Sequence, residues 1–425
     1  MKVLLINTFE TQGGAAIAAK RLLTALNKTN QLEADLLVNE SQTNSVHVHE
    51  VADTNWKKRI RKYRFILEKV FFMRYEVSEK ERFAFSTGKL GVSIQNHPLV
   101  KEADILHIHW TNHSFLAHKH IGELMNMGKP VVVTLHDMWY FTGGCHYSGA
   151  CERFMQECGN CKFLKHPHEG DLSSKGWKTK QAIYSDKITF VACSNWLTDI
   201  AKTSSLLSNN RVLAIPNPID VSVFRKKDQT ESRKQFGLPE DKTLLLYVAA
   251  KVDDERKGYK YLSAALKELF ESDSEIKKDL EIVVMGNVKD KSEIEFYFPT
   301  HFTGSLSDPE TIVSCYSAAD LFVAPSLEDN LPNTLIESMA CGTPVVAFNT
   351  GGIPDIIDHG VNGYLAEYKN AQDLIRGIAW TLQRPELSDA SIEKVQTAFS
   401  EAVVSSRFID LYRSLVSKQA CPESC

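Results

Sequence analysis

The chain has 425 residues, which at ~150 residues per domain predicts two or three domains and excludes a single small binding module. Hydrophobic residues make up 43% and charged residues 24%, proportions that exclude disorder, collagen-like repeats and a disulfide miniprotein. Lys and Arg total 49 against 53 Asp and Glu, a net charge of -4, so no overall basic excess points to nucleic acid and an anionic ligand has to be held locally.

The opening Met1-Lys2-Val3-Leu4-Leu5-Ile6-Asn7 is too short a hydrophobic run for a signal-peptide core, and no stretch of ~18 apolar residues follows, so a cytoplasmic protein is expected. The residues from Pro422 to Cys425 do not read as a prenylation signal. In a reducing compartment the nine cysteines read as thiols or, where clustered, as metal ligands.

Short apolar runs alternate with helix-like stretches, the mark of parallel sheets covered by helices on both faces. Strands are expected over 3–6, 36–38, 105–109, 131–135 and 189–192, and again over 244–249, 281–285, 321–324 and 344–348. Between the two sets, Ile215-Pro216-Asn217-Pro218-Ile219-Asp220 suits a linker, because its prolines remove backbone donors. The expected organisation is an α/β chain with two doubly wound domains, 1–216 with a Cys-rich loop at 143–163 and 217–390, and a helical segment 391–425 able to pack on either. Ligands of such sheets sit beyond the carboxyl ends of the strands, so two facing sheets would form one interdomain cleft.

After the first strand, Gly13 and Gly14 open an Ala-rich helix. They read either as a plain turn or as a loop whose amides and helix N-terminus approach an anion. The stretch from Trp56 to Arg74 carries eight cations and one acid, with Ile60, Tyr63, Leu67 and Val70 at helical spacing. It is either an ordinary surface helix or one that lies on anionic lipid. The strand 131–135 delivers His136 and Asp137 to a loop, as a satisfied strand-end histidine or as a site residue. Cys145, Cys151, Cys158 and Cys161 follow; the Cys-x2-Cys half-site with two further thiols predicts a closed, structural zinc site that rigidifies a loop near the acceptor.

In the second half, Lys251, Arg256 and Lys257 surround the end of strand 244–249 ahead of a helix. They form either a solvated charged turn or a clamp for a diphosphate whose charge grows as it leaves. The densest motif runs Ala324-Pro325-Ser326-Leu327-Glu328-Asp329-Asn330-Leu331-Pro332-Asn333-Thr334-Leu335-Ile336-Glu337-Ser338-Met339-Ala340-Cys341-Gly342-Thr343-Pro344-Val345-Val346. There a strand passes through a polar loop into a helix near Asn333. Asp329 and the loop amides can bind sugar hydroxyls, and Glu337 can take a ribose diol, because one carboxylate accepts two hydroxyl hydrogen bonds.

This motif resembles the retaining glycosyltransferases of GT-B fold, family 4, also called group 1 glycosyltransferases. Their signature has two glutamates separated by seven residues; here the second is Glu337, while the first falls on Asp329, beside Glu328. The resemblance implies donor binding by Gly13, Gly14, Lys251, Lys257, Glu328, Asp329, Asn330, Asn333, Thr334 and Glu337, and a role for His136 near the transferred sugar. It implies a nucleotide-diphosphate sugar donor, UDP- or GDP-linked, and metal-independent front-face transfer in which Lys251 and Lys257 stabilise the leaving diphosphate. His136, Lys257, Asp329 and Glu337 are then the catalytic set. The acceptor is a saccharide or a lipid-linked sugar, as in surface polysaccharide or glycolipid synthesis, and peripheral contact with anionic membrane through 56–74 would suit a lipid carrier. The architecture also hosts epimerase-like enzymes and inactive nucleotide-sugar-binding proteins, which form no disaccharide.

Overall fold

The computed structural model describes residues 1–43, 45–251, 254–288 and 294–420. By internal contacts the chain divides into two units, one of residues 1–218 with the C-terminal helix from Val404, the other Ile219–Val403.

The first unit holds a parallel sheet of β1 (Lys2–Phe9), β2 (Glu33–Glu40), β3 (Val48–Glu50), β4 (Ile105–Ile108), β5 (Val131–Leu135), β6 (Ile188–Ala192) and β7 (Arg211–Ala214), in the order β3-β2-β1-β4-β5-β6-β7. The second holds β8 (Thr243–Lys251), β9 (Leu280–Asn287), β10 (Thr300–Gly304), β11 (Leu321–Ala324), β12 (Val345–Phe348) and β13 (Gly363–Ala366), in the order β10-β9-β8-β11-β12-β13. Both are doubly wound α/β sheets, as the alternating apolar runs predict. Central strands such as Val131-Val132-Val133-Thr134-Leu135 are buried at every position, because helices cover both faces and leave no polar side to alternate.

Strand order reverses between β1 and β4 in the first sheet and between β8 and β11 in the second. At such a point the loops leaving neighbouring strands diverge to opposite faces and open a crevice at the carboxyl ends. The helix Glu401–Ala420 packs Val404, Phe408 and Tyr412 with Leu5, Val132 and Val191 of the first sheet. Its buried Tyr412 hydroxyl is 2.7 Å from His107 Nδ1 on β4.

Candidate functional site

At the carboxyl end of the second sheet, the loop after β8 tightens into a turn, Glu255–Lys257, in which the Asp254 side chain accepts from the Arg256 amide. Gly258 follows with φ +70°, and a Cβ there would lie 1.8 Å from the Pro325 carbonyl oxygen. Only glycine combines that conformation with that approach. The turn is therefore pressed onto the loop leaving β11, and the Leu327 amide donates to the Arg256 carbonyl at 2.7 Å. This contact brings Lys257 Nζ to 2.7 Å from Asp329 Oδ2.

Asp329 is held from its other side by the loop that carries Gly351 and Gly352. Gly351, φ +58°, would put a Cβ 2.0 Å from the Asp329 carbonyl oxygen, and the Gly352 amide donates to that oxygen at 3.1 Å. The helix Asn333–Ala340 starts after Pro332 with no side-chain cap. Glu337, one turn in, is buried and accepts from the Tyr316 hydroxyl at 3.1 Å. Burial, and next the Glu337 charge, push that phenol well above its ordinary range. Asn330 is buried, Glu328, Asn333 and Thr334 half-buried, and Lys251 exposed at the end of β8. Val252 and Asp253 of the same stretch lie outside the described residues.

In the first unit, Gly13 caps the helix Gly14–Lys28 with φ +87°, and both glycines are exposed at the end of β1. Beside them Glu10 is fully buried. Its carboxylate takes the Lys20 ammonium at 2.7 Å, the Ser41 hydroxyl at 2.8 Å, the Gln42 and Thr43 amides at 2.9 Å, and the Thr43 hydroxyl. Burial acts to raise this carboxyl, but these partners outweigh it and bring it down to about 2.

His136 is half-buried. Its Nε2 is 3.0 Å from His109 Nδ1, and its Nδ1 lies 3.7 Å from the Cys193 sulfur. Burial pulls His136 down to about 4, His107 to about 3 and His109 well below the ordinary histidine range. The three rings are thus neutral near pH 7 and can exchange hydrogen bonds but not supply positive charge. Asp137 is occupied structurally, accepting from Trp110 Nε1 at 2.9 Å and the Trp139 amide at 2.8 Å and lying 2.6 Å from His146 Nδ1. Trp110, so fixed, packs on His113 at 4.9 Å and on Phe9 at 6.3 Å between ring centres. His113 and Ser114 have φ of 58° and 59°, a strained conformation for non-glycine residues of the kind that gathers at functional sites. The His107-Ile108-His109-Trp110 run is the sequence feature that could have located this cluster, whose His107, His109 and Trp110 were not among the expected site residues.

The zinc site predicted from Cys145, Cys151, Cys158 and Cys161 is corrected by the structure. Among the described residues no group of three or more His, Cys, Asp or Glu side chains is placed to hold a metal ion, and all four thiols are free. Cys161 sits with Phe72, Phe85, Leu164 and Leu172, with Cys145 against them, and Cys158 Sγ accepts from the Gly143 amide at 3.1 Å. Burial pushes Cys145 and Cys161 up to about 12 and Cys158 to about 11.

The basic, aromatic stretch forms the helix Asn55–Met73, with Thr54 as its cap. Its orientation inverts the usual rule. Arg61, Glu68 and Phe72 face inward; Arg61 Nη1 donates to the Asn39 carbonyl and to Glu50, both at 2.6 Å, and Glu68 accepts from Ser114 and Thr87. Trp56, Tyr63, Ile66 and Val70 face outward at 70%, 62%, 56% and 47% exposure. No described helix is long and apolar enough to cross a membrane.

Comparison with known proteins follows the same lines. Residues 228–397 match the family model of glycosyl transferases group 1. The D-inositol 3-phosphate glycosyltransferase of Geodermatophilus obscurus is 29% identical over 208 residues, 45% of this chain and 44% of that protein. The chain spans about half the length of the curated relatives it first matches. Among solved structures, sucrose-phosphate synthase from Thermosynechococcus elongatus superposes with a TM-score of 0.68 at 19% identity, covering 98% of this chain and 99% of that one. HepE from Anabaena in complex with UDP-glucose superposes with a TM-score of 0.61 at 13% identity over 97% and 100%. These likenesses establish the GT-B fold.

Proposed function

We propose that this chain, which belongs through residues 228–397 to the group 1 glycosyl transferases, moves a hexose-type sugar from a UDP- or GDP-linked donor to a saccharide or lipid-linked acceptor, with retention at the anomeric carbon and without a catalytic metal. The observation that carries this reading is the 2.7 Å contact between Lys257 and Asp329, which joins a cation and a carboxylate at the strand-order reversal of the second sheet. In the proposed reaction Lys257 exchanges Asp329 for the donor diphosphate and stabilises the charge that grows as the glycosidic bond breaks. Lys251, exposed nearby in sequence, adds a second cation. Asp329, Glu328, Asn330, Asn333 and Thr334 bind the sugar side, and Glu337 the ribose. His136, kept neutral by burial, hydrogen-bonds the transferred sugar, and the Gly13-Gly14 loop lies at the reaction centre. No carboxylate is assigned as nucleophile, so the acceptor hydroxyl attacks from the face the diphosphate leaves, and a phosphate oxygen takes its proton.

Support for a nucleotide-sugar donor comes from HepE, solved with UDP-glucose, and for a small polar acceptor from relatives named for D-inositol 3-phosphate. Lys257→Ala and Glu337→Ala are each expected to lower turnover more than tenfold. Near-normal activity of both purified variants removes this arrangement.

The outward apolar face of helix Asn55–Met73, flanked by its lysines and arginines, supports a second element of the proposal, reversible docking on an anionic membrane. Vesicle binding independent of anionic lipid content overturns that element and leaves the transfer chemistry standing.

A further inference from the structure

Beside the cysteine-rich loop the first unit has two cavities, of about 220 and 170 Å³, that share Lys89, Leu172 and Lys175 in their walls. Lys119 lines the first and Arg74 the second. Asp171 is the one acid on either wall among the described residues, and it is spent: its oxygens accept from the Ser173 and Ser174 amides at the helix start and from the Cys161 amide. The hydroxyls of Thr87 and Thr179 donate to Glu68 and to the Lys175 carbonyl. Among the described residues, the cavities therefore present ammonium groups with no unspent anion on their walls.

Lys89 is fixed 4.5 Å from the centre of the Phe71 ring, and burial followed by the charge of Lys175 pulls it below the ordinary lysine range. Two solvated lysines would separate; here a ring contact holds one of them near its like-charged neighbour. His118 supplies a second, independent observation. It lines the first cavity at 6% exposure, stacked 5.2 Å from Trp139. Neither of its ring nitrogens has a well-formed hydrogen bond, with only a weak interaction with the Thr87 backbone. A buried ring with unmet hydrogen-bonding capacity beside unpaired ammonium groups marks a place built for a polar guest.

We propose that this paired cavity binds a phosphate-bearing ligand, its phosphate held by Lys89, Lys119 and Lys175. A phosphate monoester carries about -1.5 to -2 charges and three acceptor oxygens, which meets several ammonium groups at once, whereas a carboxylate leaves the Lys89–Lys175 repulsion largely uncompensated. The phosphate can belong to a soluble phosphorylated sugar or to a lipid headgroup. Arg74 and Tyr75 on the second cavity directly follow the helix whose outward face is apolar, so both sources offer the same chemistry.

The test is the melting temperature of the full chain at constant ionic strength, titrated with inorganic phosphate against chloride, then with glycerol 3-phosphate and with dihexanoyl phosphatidic acid. Wild type is expected to be stabilised saturably. Lys89→Gln and Lys175→Gln are each expected to weaken the apparent affinity about tenfold or more. Without phosphate, Lys89→Gln is expected to melt close to wild type, since relief of the repulsion from Lys175 offsets the lost contact with the Phe71 ring; that separates a lost site from a lost fold. Tighter binding of glycerol 3-phosphate assigns the site to soluble phosphates, and tighter binding of the lipid assigns it to a headgroup. No saturable phosphate effect, or an undiminished one in both variants, overturns the proposal.

Discussion

Glu10→Gln removes one charge from a fully buried side chain at the end of β1 and keeps its shape. The native carboxyl stands at about 2 against 4.5 for its free form, a difference of about 2.5 units and therefore ~3 kcal/mol at 1.36 kcal/mol per unit. Because the folded value is depressed, this stabilisation is complete above pH 4.5 and is lost as the pH falls toward 2; at pH 3 roughly 1.4 kcal/mol of it survives. A loss of ~3 kcal/mol lowers the melting temperature of a unit this size by roughly 6–12 °C at pH 7. Tryptophan fluorescence is the assay, because Trp56, Trp110, Trp139, Trp177 and Trp196 lie in the first unit and only Trp380 in the second. The variant should also loosen the loops around Gln42 and the Gly13-Gly14 turn, since the Glu10 carboxylate ties the 41–43 segment to β1. Equal stability of wild type and variant at pH 7, or a deficit that does not shrink between pH 7 and pH 3, refutes the reasoning.

Three further outcomes follow from the packing. Asp329→Asn frees Lys257 from its ion pair and should tighten binding of UDP or GDP while lowering sugar transfer; calorimetry showing weaker nucleotide binding contradicts the exchange of partners. Gly351→Ala places a Cβ against the Asp329 carbonyl oxygen at a positive φ and should cost at least ~1 kcal/mol of stability, together with the thermal shift given by the preferred nucleotide sugar; a variant unchanged in both shows that the Asp329 loop is not braced there. Tyr412→Phe leaves His107 Nδ1 without its 2.7 Å partner in the core and should lower stability by ~1–3 kcal/mol in urea unfolding, an effect that an undocked C-terminal helix would not produce.

The interior of both sheets was legible because central parallel strands are buried on two faces and read as unbroken apolar runs. The strands that went unread, β3, β7, β10 and β13, are the four sheet edges. Arg211–Ala214 and Thr300–Gly304 contain no fully buried residue, so neither an apolar run nor a clean alternation marks them. Lys257 and Asp329 were legible as single chemical groups, one in a cation cluster and one in a carboxylate motif. Their pairing was not, because it depends on Gly258 lying under Pro325, a contact between segments far apart in sequence. The brace from Gly351 was hidden for the same reason. Near His136, the site is shared between adjacent strands, and spacing along one strand says nothing of the ring that the next one supplies.

At the cysteine loop the expected zinc site is not found among the described residues, and for the basic helix the sequence leaves a plain surface helix and one lying on anionic lipid both open. Spacing along a chain states which groups can meet, and the free energy of their surroundings decides whether they do. Cys158 and Cys161 have the interval of a metal half-site, yet each packs in an apolar cluster, and among the described residues no group of three or more ligands is placed to hold a metal ion. On the helix Asn55–Met73 periodicity identifies an apolar stripe without saying which way it faces. Arg61 decides: with Glu50 at 2.6 Å and Glu40 at 3.3 Å, and Glu68 bonded to Ser114 and Thr87, the polar side has its partners on the protein. Turning the stripe inward would strand these charges without their partners, at several kcal/mol each. The exposed tryptophan, tyrosine and valine are thus the consequence of a satisfied polar interface behind them.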